Sequence, residues 1–97
     1  PDLKLFDIIL AEKVFSESNF AFTFNNDDCH IVSSNDNLNS IISDTATTNN
    51  IKLYKGNTVC TDCFDVYMTN VHKFLERVPE NFNPLTAEME TFSLLKF

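Results

Sequence analysis

Apolar residues in this chain fall into short runs separated by polar stretches rich in Asn, Asp and Ser. The first run, residues 5–11, is short and mostly apolar, which predicts a buried strand, and residues 12–19 predict a polar loop. Residues 20–24 alternate large with small or polar side chains, which predicts a half-buried strand. The Asn and Asp residues at 25–28 indicate a turn, so residues 29–32 would return as the second strand of a hairpin.

A helical spacing of apolar residues follows the predicted hairpin. The spacing is carried by four residues: Leu38, Ile41, Ile42 and Ala46. It predicts an amphipathic helix over residues 37–48. The polar residues 33–37 include several good N-cap types, and the Asn pair at 49–50 indicates the end of the helix.

The second half of the chain predicts further strands and helices in alternation. Residues 51–64 are typical of a strand, interrupted near the only glycine of the chain. A helix would begin after Thr69 as its N-cap and end before Pro79, because the apolar residues between them lie on one helical face. Residues 85–88 predict a short strand, and residues 91–97 predict a helix.

The order of these elements indicates an α/β fold with a mixed sheet in a single domain over residues 1–97. The chain has 97 residues, of which 43% are hydrophobic and ten are Phe, enough for one small core. The net charge is -7 with scattered basic residues, which disfavours nucleic acid and anionic membranes as partners. No apolar run approaches the roughly 20 residues of a membrane helix. The odd number of cysteines and the lack of a signal-peptide pattern predict a cytoplasmic location.

Two carboxylates flank a methionine where a predicted strand meets a predicted helix, at Glu88, Met89 and Glu90. One carboxylate can accept charge-assisted hydrogen bonds from both vicinal hydroxyls of a ribose, while Met packs softly against a sugar or base. The carboxyl edge of a sheet is the usual ligand edge of α/β folds. The plainer alternative is that these acids favour the positive end of the helix dipole.

The predicted strand before residue 64 ends in a second candidate segment. Phe64 can stack on a base, although ten Phe in one chain make a core role the common one. Cys60 and Cys63 have C-x-x-C spacing but lie in a predicted strand and lack a second ligand pair, so buried apolar cysteine is favoured over a metal or redox site. His30 and His72 each stand alone, and His72 is predicted to face solvent.

The two segments together resemble the purine nucleoside phosphorylases of the hexameric bacterial type. The run Gly56-Asn57-Thr58-Val59-Cys60-Thr61-Asp62-Cys63-Phe64 resembles the family's purine-site strand, and Ala87-Glu88-Met89-Glu90-Thr91-Phe92 resembles its sugar-binding strand end. Residues 1–9 resemble a third family segment, with Phe6 in place of the usual Gly. The resemblance covers most of the chain and corresponds to the central part of such an enzyme.

This resemblance implies a three-layer α/β/α phosphorylase/hydrolase-like fold with a mixed central sheet, here incomplete. It implies that Phe64 stacks on the base, Met89 contacts the nucleoside, Glu90 binds the ribose hydroxyls and Glu88 assists at the sugar. The implied partners are a purine nucleoside, inorganic phosphate as co-substrate, and further copies of the chain in a dimer-based hexamer. No cofactor, metal or catalytic residue is assigned within this sequence.

The resemblance also implies that the phosphate ligands and the acid that protonates the leaving base lie outside these 97 residues. We therefore expect this polypeptide alone to be inactive. Two alternatives within the superfamily are a nucleosidase, which uses water in place of phosphate, and a uridine phosphorylase. A third alternative is a non-catalytic acidic interaction domain, and a zinc-binding module ranks last.

Overall fold

The computed structural model describes residues 2–63 and 67–97, which contain four strands and four helices. In chain order these are β1 (Ile8–Ser16), α1 (Phe20–Asn25), β2 (Ile31–Ser33), α2 (Asp36–Thr48), β3 (Leu53–Cys60), α3 (Val71–Glu76), β4 (Pro84–Glu88) and α4 (Thr91–Lys96).

The strands form one mixed sheet in the order β2-β1-β3-β4. β1, β3 and β4 are parallel to one another, and β2 is antiparallel to β1 at the edge. The predicted α/β fold with a mixed sheet is therefore confirmed. Because the three parallel strands run in one direction, their carboxyl ends meet at one edge of the sheet.

Two hydrophobic clusters lie at the carboxyl half of the sheet. One contains Val14, Ala21, Cys60 and Phe92, and the other contains Phe15, Val59 and Phe82. Successive strand residues point to opposite faces, so neighbours such as Val14 and Phe15 belong to different clusters. Helices α1 and α4 therefore contribute to one face of the sheet, while Phe74 of α3 packs against the other cluster.

The first strand lies further along the chain than the prediction of residues 5–11. β1 continues through the predicted loop to Ser16, and its last three residues are buried. A shift in the pairing with β3 between Ala11 and Val14 marks an irregularity in the strand. The exposed Glu12 and Lys13 lie at this irregularity. Their polarity led to the prediction of a loop, but the backbone remains extended there.

The predicted strand over residues 20–24 is wrong, because this segment forms helix α1. Phe20 and Phe24 stack at a ring-centroid distance of 5.5 Å, the i, i+4 contact of a helix, and Ala21 is buried in the core. The turn after it is confirmed, with Asn26 in the left-handed conformation. The predicted hairpin is replaced by pairing of β2 with β1.

The other predicted elements are confirmed with changes at their ends. The strand predicted over residues 51–64 is shorter, because β3 begins at Leu53 and ends at Cys60, and residue 64 lies outside the described residues. The side chain of Asn35 caps α2 by accepting a hydrogen bond from the N–H of Leu38 at 2.8 Å. The N-cap of α3 is Asn70 and not Thr69, since the Asn70 side chain accepts from the N–H of Lys73. The longest helix has 13 residues, and within residues 2–63 and 67–97 no helix combines the length and hydropathy required to cross a bilayer.

Candidate functional site

The carboxyl ends of β3 and β4 bring together the two segments that the sequence singled out. The backbone N–H of Thr61, just after β3, donates a hydrogen bond to the carbonyl oxygen of Glu88 at the end of β4, at 2.8 Å. Earlier in the same two strands, the Thr58 hydroxyl donates a hydrogen bond to the Thr86 carbonyl oxygen at 2.9 Å. The parallel sheet therefore places Thr61 directly beside the Glu88–Glu90 triplet.

Glu88 binds the backbone at the start of α4. Its Oε2 accepts hydrogen bonds from the N–H groups of Glu90 and Thr91, both at 2.7 Å. These are two of the N–H groups that a helix leaves without an intrahelical partner at its first turn. The sequence suggested that an acid here would favour the helix dipole, and Glu88 does so by direct hydrogen bonds.

The surroundings of Glu88 favour its charged form. Burial by itself would raise the pKa of this carboxyl, but hydrogen bonds from the backbone of Glu90 and Thr91 outweigh it and hold the pKa below the ordinary value. The Oε1 atom is buried and has no hydrogen-bond partner among the residues that the structure describes. Glu88 is therefore ionised at neutral pH with one oxygen already bound to the protein.

Cys60 lies beside Glu88 and stays protonated at neutral pH. Burial raises the pKa of its thiol, and the nearby Glu88 carboxylate raises it further. Cys60 is buried as predicted, whereas Cys63 is exposed, so the prediction of two buried cysteines holds for one of them. Among the described residues, no group of three or more His, Cys, Asp and Glu side chains could hold a metal ion.

Met89 and Glu90 form the turn between β4 and α4, and both side chains are exposed. Met89 exposes 39% of its surface. Glu90 is the N-cap residue of α4 but makes no capping bond with its side chain. Its carboxylate is thus accessible to a ligand, whereas that of Glu88 is engaged.

A cleft of about 380 Å³ opens beside the end of β3. Its described lining consists of Glu17, Cys60, Thr61, Asp62, Cys63, Tyr67, Met68, Thr69, Asn70 and Phe74. The Thr61 hydroxyl donates to the carbonyl of Cys63 at 3.0 Å, which fixes the chain as it leaves the strand. The volume lies at the lower end of the roughly 300–1,000 Å³ that is typical of small-molecule pockets.

The predicted site residues occupy different positions relative to this cleft. Phe64 lies outside the described residues, between the lining residues Cys63 and Tyr67 in the sequence. The Glu88 carbonyl is bonded to the lining residue Thr61, but Glu88, Met89 and Glu90 do not belong to the described lining of the cleft.

Glu17 is a cleft residue that the sequence did not indicate, because it lies in the polar stretch predicted as a loop. Glu17 directly follows β1, lines the cleft and binds Arg77, with Oε1 and Nε 2.8 Å apart. Its position after an apolar strand is the signal that could have indicated it, because parallel strands deliver such residues to the same edge.

His30 lies beside the end of β1, and its ring orientation is fixed by the backbone. Nδ1 lies 2.7 Å from the carbonyl oxygen of Ser16, so this nitrogen donates and carries a hydrogen. Nε2 lies 3.4 Å from a carboxylate oxygen of Asp28. His72 is exposed on α3, as predicted.

The arrangement offers an accessible carboxylate, a half-exposed thioether and an adjoining cleft along one sheet edge. Such a set can bind a ligand with hydroxyls at one end and a flat apolar part at the other. Comparison of the sequence with protein-family models and with curated proteins finds no match in either case.

Proposed function

We propose that this chain is part of a purine nucleoside phosphorylase and supplies its ribose and base contacts. The observation that carries this proposal is the hydrogen bond between Thr61 and Glu88. It joins the segment resembling a purine-site strand to the segment resembling a sugar-binding strand end. A nucleoside needs both parts, because its base and its sugar are covalently linked and must be bound side by side.

In this proposal the sugar lies against the Met89–Glu90 turn. The Glu90 carboxylate accepts hydrogen bonds from the ribose hydroxyls, and the Met89 side chain packs against the nucleoside. The exposure of both side chains supports these roles, since neither is engaged in the protein core. Glu88 assists at the sugar from the end of β4.

The cleft beside Thr61 would hold the base. Phe74 supplies an apolar surface in the described lining, and Thr61, Asp62 and Asn70 supply polar groups. Phe64, the proposed stacking residue, lies in the segment between two lining residues. Base–aromatic stacking contributes about 1–3 kcal/mol where it has been measured.

The proposed reaction is phosphorolysis. A phosphate oxygen attacks the anomeric carbon, the bond to the base nitrogen breaks, and the base leaves with the bonding electrons and gains a proton. The products are the free base and ribose 1-phosphate. Positive charge develops on the sugar in the transition state, and the Glu90 carboxylate nearby stabilises it. We assign neither the phosphate ligands nor the proton donor to residues in this sequence.

The fold we propose for the whole protein is the three-layer α/β/α phosphorylase/hydrolase-like fold. Helices on both faces of the mixed sheet support this assignment. The assembly would be a dimer-based hexamer in the cytoplasm. Analytical ultracentrifugation tests the assembly, because a monomer at micromolar concentration would contradict it.

An assay of the full gene product tests the proposed activity. Its intact mass is measured first, and it is then incubated with inosine, guanosine or adenosine, with and without phosphate. We expect free base and ribose 1-phosphate only when phosphate is present. Release of base without phosphate would identify a nucleosidase, and preference for uridine would identify a uridine phosphorylase. Absence of both turnover and nucleoside binding would favour the acidic interaction domain, consistent with the net charge of -7.

A further inference from the structure

The Glu88 carboxylate holds the turn that carries the proposed sugar contacts. Its Oε2 lies 2.7 Å from the N–H nitrogens of both Glu90 and Thr91. Distances this short are typical of charge-assisted hydrogen bonds, which are about twice as strong as neutral ones. One oxygen therefore fixes two successive peptide groups, and the first of them belongs to the residue proposed to bind ribose.

The side chains of the turn itself do little to fix its backbone, although Phe92 anchors the following helix α4 in the core. α4 has only six residues, and a helix so short gains little stability from its own hydrogen bonds. The exposed side chain of Glu90 makes no capping bond, so it does not fix its own backbone. Met89 is also exposed and belongs to neither hydrophobic cluster of the described residues. The direction in which the Glu90 carboxylate points therefore depends on the backbone that Glu88 binds.

We propose that Glu88 is a positioning residue for the sugar site, acting on ribose through Glu90 and not by direct contact. Its two backbone hydrogen bonds, which we call the Glu88 clamp, hold the Met89–Glu90 turn so that the Glu90 carboxylate faces the sugar. This inference rests on the proposed nucleoside function and assigns separate tasks to the two carboxylates.

The charge on Glu88 suits this task. The hydrogen bonds of the clamp oppose the effect of burial and keep the carboxyl ionised, so the clamp is present at neutral pH. Gln at this position keeps one oxygen that can accept from both N–H groups but loses the charge. Ala removes the acceptor altogether. Glu88→Gln is therefore expected to weaken the two backbone hydrogen bonds, and Glu88→Ala to remove them.

The test compares Glu88→Ala, Glu88→Gln, Glu90→Gln and the double variant Glu88→Ala/Glu90→Gln in the full gene product. Glu80→Gln serves as the control, because Glu80 is exposed in the loop before β4. The first readout is amide hydrogen exchange at Glu90 and Thr91. The second is KM and kcat for phosphorolysis of inosine.

We expect Glu88→Ala to accelerate exchange at both amides about tenfold or more, and to lower kcat/KM mainly by raising KM. Glu88→Gln gives an intermediate result in both readouts. The double variant loses no more kcat/KM than Glu90→Gln alone, because Glu88 acts through Glu90. The Glu80→Gln control matches the wild type.

Three results would overturn the inference. Additive losses in the double variant would show that Glu88 acts on the sugar independently of Glu90. Accelerated exchange with unchanged KM would reduce the clamp to a purely structural role. Equal losses in Gln and Ala with unchanged exchange would identify Glu88 as a direct ligand of ribose. A wild-type protein that turns over no nucleoside would instead overturn the proposed function and the ribose role together, and exchange would then report on the clamp alone.

Discussion

Glu88 and Glu90 are two carboxylates only two residues apart, yet their surroundings differ. Glu88 is partly buried and binds two backbone N–H groups, whereas Glu90 is exposed. The residue pattern alone identifies both as candidates for a sugar site, and only the family resemblance implies different roles for them. The difference arises because the end of β4 points the Glu88 side chain toward α4.

Glu90→Gln is predicted to weaken nucleoside recognition. Hydrogen bonds to a charged group contribute about 1.5–3 kcal/mol, so kcat/KM for inosine should fall by about 10- to 100-fold. Steady-state kinetics of the full gene product with phosphate measure this fall. Glu80→Gln is the matched control for removal of one negative charge. An unchanged kcat/KM in Glu90→Gln would remove the ribose role from this residue.

Glu88 is predicted to make the stability of the fold depend on pH in the acid range. Its pKa in the folded chain lies below the ordinary value of 4.5, so its contribution is fully present above that value. The contribution is lost as the pH falls through the folded pKa. Urea unfolding at pH 6 and at several values below 4.5 should therefore show the stability gap between the wild type and Glu88→Gln closing. A gap that stays constant across this range contradicts the prediction.

The packing of strand β4 against strand β3 limits which residue can occupy position 56. Gly56 of β3 faces Leu85 of β4, and a Cβ on Gly56 would lie 2.4 Å from Cδ1 and 2.7 Å from Cγ of Leu85. A side chain at the only glycine of the chain would therefore force the Leu85 side chain to move. The interruption that the sequence predicts near this residue does not end the strand, since β3 continues to Cys60.

Gly56→Ala is predicted to destabilise the chain by about 1–3 kcal/mol, the typical cost of overpacking. Chemical denaturation measures the change in the free energy of unfolding. Leu85→Ala removes the atoms that the new methyl group would meet, so the effect of Gly56→Ala should largely disappear in that background. Equal destabilisation in both backgrounds would place the cause in the backbone and not in the contact.

At the scale of the whole molecule, the fold depends on a small number of buried side chains at the carboxyl half of the sheet. Phe92 is 1% exposed and connects α4 to the cluster that contains residues of β1 and β3. Lys96 of α4 also pairs with Asp27 in the turn after α1. By contrast, α2 buries only Ala46, and Leu38 and Ile41 on its apolar face are more than half exposed.

Phe92→Ala is predicted to remove a large part of the stability of the fold. Truncating a buried Phe costs about 3–5 kcal/mol, against a total of about 5–15 kcal/mol for a typical domain. Thermal unfolding followed by circular dichroism should show a large fall in Tm or the loss of a cooperative transition. Phe6→Ala is the control, since Phe6 is 92% exposed. Similar effects of the two substitutions would contradict the proposed location of the core.

Much of the fold could be predicted from sequence where the local signal and the final environment agree. The helical spacing and capping residues of α2 predicted that helix nearly to the residue, because capping involves only neighbours in the chain. The α/β class with a mixed sheet followed from the alternation of strands and helices, whereas the parallel pairing of β1, β3 and β4 is seen only in the structure. The Glu88–Glu90 triplet was also placed correctly at the end of a strand and the start of a helix.

The sequence by itself determined the α/β class, most of the elements and the residues with candidate chemistry, since these depend on local periodicity and side-chain type. Only the tertiary structure decided that residues 20–25 form a helix, that β1 extends to Ser16 and that Glu17 lines the cleft. It also decided that Glu88 binds the start of α4. Contacts between segments distant in sequence override weak local preferences, and no pattern along the chain contains those contacts.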